Sequence, residues 1–153
     1  MSAQVIAINS KDQITETSCV EIQKAFEFLA EQGFRPIHED DDTIKFRIEG
    51  VIMRLDRQND QSGYRLYAWV LSEIPEEHQP ITYWAANYIN ASLPYVRASV
   101  TEDHSLVVSY SIISSDISPF LNTLVYSAEL LLYASRKADQ IIAERTTPKK
   151  LNS

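Results

Sequence analysis

Between Ile44 and Leu55, on both sides of a Glu49-Gly50 step, apolar residues occupy alternate positions. Ile44, Phe46 and Ile48 alternate with Lys45, Arg47 and Glu49, and Val51, Met53 and Leu55 alternate with Ile52, Arg54 and Asp56. A period of two over such a run fits two half-buried β-strands, and a glycine-containing two-residue step between them fits a tight hairpin. The chain must therefore contain a sheet with one dry face and one wet face.

The surrounding pattern extends that sheet. Arg35 to Glu39 reads as an earlier strand joined through the Asp40-Asp41-Asp42 turn, and Tyr64 to Leu71 reads as a later one after a polar run. Tyr95 to Thr101 and Leu106 to Ile113 form a further pair, joined by Glu102-Asp103-His104-Ser105. Helical spacing covers three other stretches. The first opens on Ser18 and Glu21, a capping-box pair, continues through Cys19, Ile22, Phe26 and Leu29, and stops at Gly33. The second runs from Ile74 with Ile81, Trp84, Ala85, Tyr88 and Ile89 on one stripe, until Pro94 forbids continuation. The third takes Ser118 as N-cap and Pro119 as its first residue, with Phe120, Leu121, Leu124, Ala128, Leu131, Leu132 and Ser135 facing a core. It would be a rod of about 39 Å whose far end protrudes or meets a partner. The order predicts an α+β fold: an antiparallel sheet of about five or six strands with helices on one face. We divide the chain into a flexible arm (1–16), one domain (17–145) and a loose tail (146–153).

Composition narrows the function. Three glycines in 153 residues leave no glycine-rich phosphate loop, and no Gly-x-Ser-x-Gly elbow or zinc signature is present. A lone Cys19 forms no internal disulfide and reads as a small apolar side chain. Residues 1–10 lack the features of a secretory signal, and no apolar run is long enough to span a bilayer, so a cytosolic protein with no membrane partner is expected. A net charge of −7 disfavours nucleic acid. Glu39-Asp40-Asp41-Asp42 beside His38 could ligate a hard cation, but it lacks the interleaving of a calcium loop and reads better as a solvated turn. Glu76-Glu77-His78 sits at a helix start, where carboxylates suit the dipole, and His104 sits in a turn. We expect no catalytic residue, cofactor or metal. The alternative is a small enzyme or small-molecule binder with an unrecognised pocket.

Aromatic and basic residues carry more information. Trp84 and Tyr88 are four apart, and Tyr126 and Tyr133 seven apart, so each pair shares a helix face and is read first as core. Tyr126, Leu130 and Tyr133 lie off the main stripe of the third helix and are our candidate dimer contact. If the alternating apolar residues meet the helices, then Lys45, Arg47, Arg54, Arg65, Tyr67, Trp69, Tyr95 and Arg97 share the opposite sheet face. That would gather five of the chain's 14 basic side chains on one surface. Such a surface suits an acidic or extended peptide, and single-stranded nucleic acid less well. The plainer alternative is a solvated face whose cations pair with Glu49 and Asp56.

The stretch from Asp40-Asp41-Asp42 through Thr43–Gly50 to Gly63-Tyr64-Arg65-Leu66, with the later Ala85-Ala86-Asn87-Tyr88-Ile89-Asn90, resembles the YbjN-domain family over roughly residues 18–140. The resemblance implies the type III secretion chaperone-like fold and a dimeric, chaperone-like or regulatory module that binds a protein partner. The family offers no established catalytic residues to carry over. The chain departs from the shorter family pattern in its long third helix.

Overall fold

A computed structural model describes residues 10–58 and 62–147, with side chains from Val20 onward. In chain order the elements are α1 (Ser10–Glu31), β1 (Ile37–His38), β2 (Thr43–Ile48), β3 (Val51–Arg57), β4 (Gly63–Leu71), a single 3-10 turn (Glu76–His78), α2 (Gln79–Ser92), β5 (Arg97–Val100), β6 (Leu106–Ile113) and α3 (Ser118–Thr146). Six strands form one wholly antiparallel sheet in the order β1-β2-β3-β4-β6-β5. After β4 the chain leaves through α2, returns at the far edge as β5, and then inserts β6 between β5 and β4.

The predicted hairpin joins β2 to β3, with Ile48 opposite Val51. Glu49 and Gly50 both take positive φ, 45° and 87°, the pairing that a primed two-residue turn requires and that follows strand twist. Alternation then fixes the faces. Ile44, Phe46, Met53, Leu55, Tyr64, Leu66, Ala68, Ala98, Leu106 and Val108 are buried, and they share one core with Ile22, Ala25 and Leu29 of α1, Ala85 and Ile89 of α2, and a long face of α3. Val70, two residues beyond buried Ala68, is only half-buried because a bulge between Trp69 and Leu71 shifts the register. Gly63 faces Ile113 so closely that a β-carbon there would lie 1.8 Å from the Ile112 carbonyl oxygen.

Expectations for the first and third helices are corrected. α1 begins at Ser10, so residues 10–16 of the predicted arm are helical; nothing in that stretch is Gly or Pro, and the Ser18 cap is passed through. The Glu21 carboxylate does not cap its own helix. It is buried, accepts the Ile117 N–H at 2.6 Å and a Lys24 ammonium hydrogen bond at 2.6 Å, and so ties α1 to the start of α3. α3 starts one residue earlier relative to its cap than expected: Ile117 is the N-cap, and the Asp116 carboxylate accepts the Ser118 N–H at 2.9 Å. Its 29 residues make a rod of about 43 Å. The far end does not protrude, because Ala138, Ile141 and Ile142 remain buried. Residues 1–9, most of the tail, and the side chain of Cys19 lie outside what the structure describes. Among the described residues no helix is long and apolar enough to cross a membrane.

Candidate functional site

Cross-strand register builds the second sheet face. Arg97 lies opposite Ser109, Ser109 opposite Tyr67, Tyr67 opposite Arg54, Arg54 opposite Lys45, and Lys45 opposite Ile37. Directly opposed residues point the same way, so these six form one row across all six strands. Arg65 and Asp56 face each other in an adjacent row, and Arg47 and Trp69 lie on the same face two residues beyond Lys45 and Tyr67. All seven strand residues proposed for this surface are therefore brought together. Tyr95 precedes β5 and sits in a turn, 70% exposed, beside Arg97, Ser109 and Ser111 in a shallow recess.

The aromatic and cationic side chains hold one another. The Arg54 guanidinium lies 4.6 Å from the Trp69 ring centre, and that of Arg65 lies 4.3 Å from the Tyr67 ring. The two rings meet edge to face at 5.3 Å. Such contacts stabilise by roughly 0.5–1 kcal/mol at exposed sites and fix side-chain direction. Arg65 donates to Asp56 at 2.8 Å; burial opposes its charge, but the carboxylate's hydrogen bond and field keep its pKa above the ordinary value. Arg54 forks onto Glu39 at 2.8 and 3.2 Å, and Lys45 approaches the same carboxylate at 3.7 Å. The Arg54 hydrogen bond, with both cations nearby, holds Glu39 below the usual carboxylate range.

Sequence reasoning anticipated the Asp56 pairing but not the other. Glu49, expected to neutralise the face, reaches away to Arg136 of α3 at 2.8 Å, because its positive φ takes it out of the strand alternation. Glu39 replaces it. The missed signal was its place at the β1–β2 turn, which carries it over β2 and β3. Its ion pairs account for one carboxylate of the acidic cluster; Asp40 accepts the Asp42 N–H at 2.9 Å, a local turn. His38 stacks on Phe26 at 4.5 Å, His78 occupies the N-cap position of α2 without a side-chain capping hydrogen bond, and His104 has a positive φ in the β5–β6 turn. Among the described residues no group of three or more His, Cys, Asp or Glu could hold a metal. Five cations against Glu39 and Asp56 leave the face with a surplus of three positive charges, in a chain of net −7.

The helical aromatics are also corrected. Trp84 and Tyr88 are 42% and 37% exposed rather than core. They stack at 5.7 Å beside α3, with Arg145 over Trp84 at 3.8 Å and Lys137 near Tyr88 at 5.8 Å. Tyr126 and Tyr133 stand 65% and 57% exposed on α3, with Leu130 half-buried between them.

The architecture defines a class. The crystal structure of YbjN from E. coli superposes with a TM-score of 0.59 at 19% identity, covering 81% of this chain and 93% of that one. A chain of the HopA1–SchA chaperone–effector complex gives 0.57 at 15% identity, covering 87% and 98%. A chain of the ExoU–SpcU heterodimeric complex from the Pseudomonas aeruginosa type III secretion system gives 0.51 at 16% identity, covering 77% and 93%. The chain thus has the YbjN-like, type III secretion chaperone-like α+β fold expected of it. No protein-family sequence model and no curated protein sequence matches the chain.

Proposed function

We propose that this protein is a non-catalytic, chaperone-like or regulatory adaptor of the cytosol that binds an acidic, extended segment of a protein partner on the open sheet face. The observation that carries this reading is the surface itself: cations already oriented by aromatic rings and carboxylates, with no described helix packed over them. Orientation before binding lowers the entropic cost of association. The fold agrees with it, since two neighbours are chains of complexes named for partner binding. Single-stranded nucleic acid suits the face less well, because Tyr67 and Trp69 each already carry a guanidinium on one ring face. The test is a peptide-display selection on the immobilised protein, counter-selected against Arg47→Glu/Arg97→Glu. Selection of acidic segments that the double variant loses supports the reading; segments without acidic bias, retained by the variant, overturn it.

The second part of the reading is a homodimer through Tyr126, Leu130 and Tyr133. Two large aromatic side chains left in water on one helix stripe favour burial against a second copy. Sedimentation at tens of micromolar should give twice the 17.5 kDa chain mass, reduced to the monomer by Tyr133→Glu. A monomer in the unmodified protein contradicts it.

A further inference from the structure

The five cations of the open face fall into two groups. Lys45, Arg54 and Arg65 share their charge with Glu39 and Asp56. Arg97 and Arg47 meet no carboxylate among the described residues, and Arg47 only donates to the Gly50 carbonyl at 3.3 Å. These two stand on β5 and β2, four strand spacings apart. At ~4.8 Å per spacing, and with Arg47 two residues (~6.7 Å) along its strand from the Arg97 row, they are separated by about 20 Å. Arg97 borders a recess of about 410 Å³ with Tyr95, Ser109 and Ser111, whose hydroxyls make no hydrogen bond to any described residue. Asn90, on the rim, is already engaged: its side-chain amide donates to the Ala98 carbonyl at 2.9 Å and accepts the Ala98 N–H at 2.7 Å. Arg47 borders a second recess of about 410 Å³ with apolar walls that include Phe34 and Phe46.

We infer that the partner segment lies across the strands rather than along them, placing one carboxylate in the Arg97 recess and a second against Arg47. An extended chain rises ~3.3 Å per residue, so the two acidic residues are about six positions apart. This rests on the reading of the face as an acidic-segment site. None of the stretches 1–9, 59–61 and 148–153, which lie outside the described residues, carries two acidic side chains, so the occupant we assign is an acidic segment of another protein.

The test uses end-blocked proline-rich peptides, whose stiff extended spacers rise ~3.1 Å per residue, bearing two glutamates three, six or nine positions apart, titrated by fluorescence anisotropy at low salt, with an oligo-glutamate as reference. The six-position peptide should bind about tenfold tighter than the other two, because only it engages both arginines at once. Arg97→Gln and Arg47→Gln, both exposed and without an ion pair among the described residues, should fold normally and each erase the preference. Equal affinities for the three spacings, or a preference that survives Arg97→Gln, overturn the crossing geometry while leaving acidic-segment binding in place. No binding by any of the peptides, the oligo-glutamate included, overturns both.

Discussion

On one face of the sheet Phe46, Met53, Leu55, Tyr64 and Leu66 are removed from water beneath three helices; on the other, one residue along each strand, Lys45, Arg54, Arg65, Tyr67 and Trp69 stay in contact with it. The first face is held by apolar burial, which is strong and tolerant of small displacements. The second is held by directional contacts, each worth ~0–1 kcal/mol, that add little to stability but fix where charges point. A sheet stabilised from one side leaves the other free to carry a binding surface, and the two faces should therefore answer mutation differently.

The largest effect is expected in the covered face. Phe46→Ala, at a position 1% exposed and edge-on to Phe34, should cost about 3–5 kcal/mol in denaturant unfolding. Gly63→Ala should cost about 3 kcal/mol or more, although it removes nothing, because the new β-carbon meets the Ile112 carbonyl and the β4–β6 pair must separate. Glu21→Ala should cost about 2 kcal/mol by leaving the buried Ile117 N–H without its acceptor. A loss below about 0.5 kcal/mol would mean that water replaces it and that Glu21 does not tie α1 to α3.

A pH effect of similar size is expected at alkaline pH. Burial pushes the Tyr64 hydroxyl from 10.0 up to about 12. Between those values the unfolded chain releases a proton that the folded protein keeps, so stability present below pH 10 falls as pH rises. Tyr64→Phe should flatten that fall in denaturation curves taken from pH 9 to 12, leaving the part due to Tyr67, which burial also raises. The smallest stability effect belongs to the open face: Arg47→Gln/Arg97→Gln should shift unfolding by less than about 0.5 kcal/mol. Arg65→Glu should not be so mild, because it sets a carboxylate directly opposite Asp56.

What could be read from sequence follows the same division. Strand alternation is local, so Ile44 through Leu55 and Tyr64 through Ala68 reveal which side chains share a face before any pairing is known. The YbjN-like resemblance rested on the same strand and turn residues. Partners that come from a distance left no such trace. Nothing near Glu21 in sequence points to Ile117, nothing near Glu39 points to Arg54, and nothing around β6 says that it enters between β4 and β5. Trp84 and Tyr88 fitted a core stripe by spacing, yet α2 is wide enough that Thr82, Ala85, Ala86 and Ile89 fill its buried side. Their rings fall outside it and find α3 cations instead.

The two tryptophans offer a direct readout of the central claim, since Trp69 stands on the open face and Trp84 on the helical side. Indole N–H signals in a nitrogen–proton NMR spectrum, assigned with Trp69→Phe and Trp84→Phe, can be followed while a ten-residue peptide of alternating glutamate and serine is added. The account predicts that the Trp69 signal moves and saturates while the Trp84 signal stays in place, and that Arg47→Gln/Arg97→Gln abolishes the movement. A peptide that moves Trp84 and leaves Trp69 untouched, or that moves neither, would contradict it.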